Sequence, residues 1–311
     1  SSVLSVVFWN IISLHLSHYF LVQIMREGIS SFRWLQGLMV ASIFSVVYAL
    51  APMYCLSSIA FLVFQYPCKH AAFIYALPLL VSILVPSRQI LGAANYMTSM
   101  LDYFDYEEVL ETSNDDCRKL LNDGKKFILA FQPHGVVSFC SLCSWINAPV
   151  DIRQIPTAVA SAVLKFPILK NVMGIFGLTD ASSSNVKRIL QKGKGIKGCI
   201  VIYVGGIAEL FLTCDEEERL YLQKRKGFIK IALREGVDII PVYLFGNTSI
   251  LSVMKTKFLE SMSRKMQTSF TYFWGKFFLP IPRDDKLLYV RGKPLGMPHI
   301  PEPTDEDINK W

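Results

Sequence analysis

The stretch 125–140, KKFILAFQPHGVVSFC, runs from two lysines through five apolar residues to a proline, a histidine and a glycine. An unbroken apolar run bounded by charge on one side and turn residues on the other is the pattern of a strand buried on both faces of a parallel sheet. Pro133 fixes one backbone angle of the following turn and Gly135 keeps its neighbourhood open, so His134 is presented at the carboxyl end of the strand. Open α/β sheets hold their ligands along that edge. An imidazole there can serve as a base near neutral pH. The same ring can be a buried histidine satisfied by a backbone carbonyl, and residue physics alone leaves both roles open.

Two more runs of the same kind lie downstream: GCIVIYV at 198–204 and VDIIPVYLF at 237–245. Helical patterns separate them. Pro156 predicts a helix over 156–170, Ser184 caps one that stops at Gly193, and a third runs from Lys226 to Gly236. Strand and helix in alternation predict an α/β fold, a mostly parallel sheet flanked by helices. The glycines of GKGIKG, 193–198, have dinucleotide-fingerprint spacing, but a helix precedes them and a strand follows. That is the reverse of the order a nucleotide site needs. Segment 260–311, with its proline clusters, reads as extended chain and turns over the core.

Charge divides the chain. Residues 1–101 hold only Arg26, Glu27, Arg33, Lys69 and Arg88 out of 32 basic and 25 acidic side chains, and the mean hydropathy of the whole chain is +0.35. This predicts a membrane-embedded region over 1–101 and a cytosolic α/β domain over 102–311. Stretch 38–64 is long enough to span a bilayer, with tilt or a break at Pro52, and 71–85 completes a helical hairpin. Arg26, Arg33 and Arg88 outnumber Lys69 at the hairpin tip, which places both ends in the cytosol. Residues 3–24 are interrupted by Asn10, His15 and His18, so they either span or lie in the interface.

The net charge of +7 lies beside a membrane segment and without an aromatic-basic binding pattern, which argues against nucleic acid and for anionic headgroups or a phosphorylated substrate. The seven cysteines show no framework spacing, and Cys140-x-x-Cys143 has no second pair, so neither a disulfide scaffold nor a metal site is expected. Asn247-Thr-Ser is a glycosylation sequon on what this topology makes the cytosolic side.

After the second strand, YVGGIAELF places Gly205 and Gly206 in a turn leading to Glu209. Strand-end turns of one parallel sheet face the same edge, so Glu209 is expected to reach His134, fix its tautomer and stabilise its cationic form. Helix-start chemistry is the alternative role for Glu209.

These blocks, QPHG, VGGIAE and KRKGFIKIALREGVDIIPVYLFG, together with the closing VRGKPLGMPHIPEPTDEDINK, resemble the type-2 diacylglycerol acyltransferase family over about 95–310. The resemblance implies a membrane enzyme of the endoplasmic reticulum facing the cytosol, with lipid droplet or plastid as other settings. Its substrates would be acyl-CoA, as co-substrate rather than cofactor, and diacylglycerol. Monoacylglycerol and wax or isoprenoid alcohols are alternative acceptors, and a homo-oligomer is compatible with it. It also implies that His134 is catalytic, with Gly135 and Glu209, and that Pro133, Gly205, Gly206, Arg225, Lys226, Gly227 and Phe228 bind substrate. Two positions depart from the family pattern: Gln132 stands where a first histidine is usual, and Asn247 where an acid is usual. Gln132 keeps open a catalytically inactive, lipid-binding protein. Position 139 is Phe, so the acid five residues after the histidine that phosphate acyltransferases use is absent.

Overall fold

The computed structural model describes residues 31–211, 219–222, 225–266 and 271–311; the segment 3–24, Cys214 and Lys224 fall outside them. Seven strands form the main sheet: β1 (Glu107–Leu110), β2 (Phe127–Gln132), β3 (Thr157–Val159), β4 (Leu178–Asp180), β5 (Ile200–Tyr203), β6 (Asp238–Phe245) and β9 (Leu288–Arg291). Their order is β1-β9-β6-β2-β5-β3-β4, and every pairing is parallel except β6 with β9. β7 (Ser252–Val253) and β8 (Phe273–Trp274) make a separate antiparallel ribbon.

The three apolar runs are the three central strands, with β2 paired to β5 on one side and β6 on the other. The alternation of β2 divides the core. Phe127, Leu129 and Phe131 join one apolar cluster, while Ile128 and Ala130 join the other. Leu210 and residues of the helix Phe139–Asn147 belong to the first cluster. The second is closed by the helices Ser183–Lys192 and Gly227–Glu235, through Val186, Ile189, Leu190, Ile231 and Ala232.

A mostly parallel, helix-flanked sheet is therefore what the sequence predicted, with differences at its margins. Instead of one helix over 156–170 there is β3, then short helices at Ser161–Lys165 and Leu169–Gly174. Pro167 explains the split: it holds Phe166 in extended backbone, at φ −73° and ψ 121°. The C-terminal segment is more regular than extended chain. It supplies β9, the helix Asp305–Lys310 behind a Thr304–Asp307 capping box, and most of the helix Lys257–Met266.

The hairpin consists of α1 (Ser31–Phe64), which continues through Pro52, and α2 (Lys69–Leu84). Among the described residues α1 is the one helix long and apolar enough to cross a membrane; α2 is apolar but shorter. The early part of α1 packs on the α/β body: the Trp34 and Tyr103 rings lie 5.3 Å apart, as do Phe44 and Phe176, and Ser45 donates to the Pro280 carbonyl at 2.6 Å. Beyond Leu50 it packs on α2, with Tyr54 and Tyr75 at 5.2 Å, and exposes Met53, Leu56 and Val63.

Candidate active site

β2 delivers the chain to the turn Pro133-His134-Gly135, and β5 delivers Gly205-Gly206 beside it, because the two strands are parallel neighbours. The main-chain N–H of His134 donates to Glu209 Oε2 at 2.8 Å. On the ring, Nδ1 lies 2.7 Å from the Gly135 carbonyl oxygen. A carbonyl only accepts, so Nδ1 carries the proton and Nε2 presents its lone pair. Nε2 has no hydrogen-bond partner among the described residues.

Glu209 thus reaches His134, but at the backbone rather than at the imidazole as the sequence led us to expect. The tautomer is set by Gly135. The reason is local: Glu209 sits in the first turn of the short helix Ile207–Leu210, and its side chain folds back over Gly205. A Cβ at position 205 would stand 2.3 Å from the Glu209 carboxyl carbon, so only glycine leaves room for this return. Burial is the main influence on the imidazole and holds its pKa below the ordinary 6.5, while the Gly135 carbonyl and the Glu209 charge pull the other way.

Asn247, just past the end of β6, locks the turn. Its Nδ2 donates to the carbonyls of Pro133 at 3.2 Å and His134 at 2.7 Å, and its Oδ1 accepts from the Cys140 amide at 3.1 Å. Gly135, at φ +64°, packs so closely that a Cβ there would lie 2.8 Å from Asn247 Nδ2. With its side chain so engaged and the residue 1% exposed, Asn247 has no amide to offer for glycosylation on either side of a membrane. Asn247→Asp keeps the acceptor but turns the donor into a second oxygen against two carbonyls. A buried group left without its partner costs ~1–3 kcal/mol, so the thermal unfolding midpoint should fall by several degrees. An unchanged midpoint contradicts the clamp.

Tyr203 packs edge-on against His134, ring centres 4.6 Å apart, and donates its hydroxyl to Ser141 Oγ at 2.7 Å. Burial pushes its phenol pKa up, against the hydroxyls of Ser138 and Ser141. Sequence reasoning passed over Tyr203 and read Asn247 only as a sequon and a departure from pattern. Both were findable: one lies two residues before Gly205 on β5, the other follows the strand beside β2.

His134, Ser138, Ser141, Tyr203, Gly206 and Arg225 share the wall of a cavity of about 720 Å³ whose remaining lining is mostly apolar. Arg225 donates to the Gly205 carbonyl at 3.1 Å and lies over the Tyr221 ring at 5.3 Å. Pro133, Gly135, Gly205 and Glu209 stand behind that wall and shape it. The structure does not bring the remaining three candidates to it. Lys226 bonds Asn309, Gly227 opens the helix Gly227–Glu235, and Phe228 packs on the cluster across the sheet. Cys140 and Cys143 are wholly buried.

The diacylglycerol acyltransferase family profile matches residues 61–311. The chain belongs to this family. Among relatives of this acyltransferase family member, diacylglycerol O-acyltransferase 2 of Dictyostelium discoideum is 29% identical over 233 residues, 68% of this chain and 66% of that protein. Human 2-acylglycerol O-acyltransferase 3 is 28% identical over 60% of each chain. Human acyl-CoA wax alcohol acyltransferase 1 is 26% identical over 69% of this chain and 68% of its own. The match spans 57–66% of the length of the first three curated relatives.

Proposed function

We propose that the protein is an acyl-CoA-dependent O-acyltransferase that makes triacylglycerol from diacylglycerol by direct transfer, with His134 as general base. The observation that carries this reading is the imidazole itself: protonated at Nδ1 by its bond to Gly135, it offers an unprotonated Nε2 beside a largely apolar cavity. Nε2 takes the proton of the diacylglycerol hydroxyl as that oxygen attacks the thioester carbon. Main-chain amides near Gly135 or Gly205 stabilise the tetrahedral oxyanion. The carbon–sulfur bond then breaks, and the imidazolium returns the proton to the departing thiolate, so no acyl-enzyme is needed. Arg225 supplies a fixed cation at the cavity for a phosphate of coenzyme A.

The reading includes a membrane-embedded region over 1–101 and a cytosolic acyltransferase domain over 102–311, at the endoplasmic reticulum. Family membership and α1 support it. Diacylglycerol dissolves in lipid, so a base close to the bilayer shortens the acceptor's path while acyl-CoA arrives from water. Relatives named for 2-acylglycerol and wax alcohol acceptors match to similar extents, and the same base would serve any of these alcohols. The deciding experiment offers the purified protein acyl-CoA with diacylglycerol, monoacylglycerol, a fatty alcohol and an isoprenoid alcohol. Triacylglycerol as the main product is expected. A different ester reassigns the acceptor, and no ester from any acceptor identifies an inactive lipid-binding protein.

The pH dependence follows from burial of the ring. Only neutral imidazole can accept the proton, so activity is lost as pH falls through the pKa of the folded enzyme. Burial places that pKa below 6.5, and kcat/KM should be flat through neutral pH with its acid limb centred below the ordinary value. A limb centred above it contradicts the assigned base.

A further inference from the structure

Among the described residues the cavity wall takes one residue from α1: Tyr48. Two others, Trp145 and Phe176, continue the wall from Tyr48's side, since Phe176 packs on Phe44 of α1 at 5.3 Å and on Trp145 at 5.0 Å. Part of the cavity wall is therefore aromatic and anchored to the helix that can cross a membrane. Gly206, Tyr221 and Arg225 line the same cavity and form its charged part, with Arg225 over the Tyr221 ring and bonded to the Gly205 carbonyl.

At the level of Tyr48, α1 turns an apolar face outward: Leu50 and Met53, on the side of the helix away from the Tyr48 ring, are 48% and 66% exposed, while Phe44, Ser45 and Ala51 on Tyr48's own side are buried. The Tyr48 ring itself meets Phe273 of β8 at 5.8 Å, and beyond it Tyr272 and Phe278 are 50% and 76% exposed. Exposed apolar and aromatic groups of this kind sit at the edge of a bilayer, where their bodies enter the acyl region.

We infer that the cavity communicates with the lipid phase at Tyr48, and that the glyceride's acyl chains come in there, beside α1, with Tyr48 setting which chains pass. This rests on the transferase reading and adds routes to it: acceptor past Tyr48, the charged part of acyl-CoA at Arg225, the reaction at His134. The physical reason is that a lateral route keeps the glyceride's methylenes out of water throughout, whereas a route past Arg225 would expose them.

The test uses the full chain in liposomes containing a diacylglycerol with a diazirine at one acyl end. After illumination, peptides are mapped by mass spectrometry for the wild type and for His134→Ala, which binds without turning over. Labels on Tyr48 together with Phe176 or Trp145, displaced by unlabelled diacylglycerol but not by phospholipid, are expected in both. Labels confined to the exposed face of α1, or undisplaced by diacylglycerol, overturn the inference. A kinetic arm asks the same of Tyr48→Trp, which should raise KM for liposomal diacylglycerol roughly tenfold and leave KM for acyl-CoA unchanged. The opposite split overturns it by giving the Tyr48 route to the donor chain. If the wild type transfers no acyl group, the transferase reading fails by itself, and the labelling pattern still decides whether lipid reaches the cavity at Tyr48.

Discussion

Replacing His134 with alanine is expected to lower acyl transfer by about a hundred- to ten-thousand-fold, the contribution of a positioned general base. The protein should stay folded and bound to membranes, because the contacts that fix the turn belong to the backbone. Glu209 holds the main-chain N–H of residue 134, and Asn247 holds the main-chain carbonyls of residues 133 and 134. The loss should appear in kcat, with KM for acyl-CoA nearly unchanged, since the imidazole is assigned to proton transfer and not to holding coenzyme A. Normal turnover in a folded His134→Ala protein removes His134 from the chemistry and, with it, the mechanism.

Glu209 gives the second large effect, and here the two substitutions differ in kind. Glu209→Ala strands the buried N–H of His134, at ~1–3 kcal/mol, and frees the turn that carries the base. A displacement of about 1 Å at a catalytic group can cost roughly a hundredfold in rate, so transfer should fall on that scale along with the unfolding midpoint. Glu209→Gln keeps a carbonyl oxygen to accept the same N–H, and much of the activity should survive. If the glutamine variant is as impaired as the alanine one while its midpoint is unchanged, the carboxylate acts by charge on the imidazolium, as in triads where an acid stabilises the charged ring. The two outcomes separate a brace from an electrostatic partner.

Much of the site was legible because its residues lie at the ends of strands that the sequence marks plainly. The run 127–131 is a strand because nothing in it tolerates water, and the proline and glycine that follow cannot extend it. The same holds for the run that ends at Gly205. Parallel strands end on the same edge, so the proximity of Glu209 to His134 followed from sequence. Its contact did not: whether a carboxylate reaches ring or backbone depends on a few ångströms decided by the missing side chain at Gly205. Likewise Arg225 and Lys226 are adjacent in sequence, yet only the first turns to the cavity, the second being drawn to Asn309.

The sequence by itself determined the α/β class, the three central strands, the apolar hairpin and the histidine at a sheet edge, because each rests on local periodicity or on a backbone constraint of proline or glycine. Tertiary structure alone decided what is built from distant segments. β9 enters the sheet between β1 and β6 from the far end of the chain, Asn247 closes over a turn more than a hundred residues away, and Tyr48 of α1 completes the cavity wall. Such contacts are chosen by packing among whole elements, where shape and burial are satisfied jointly, and no window of neighbouring residues contains that choice.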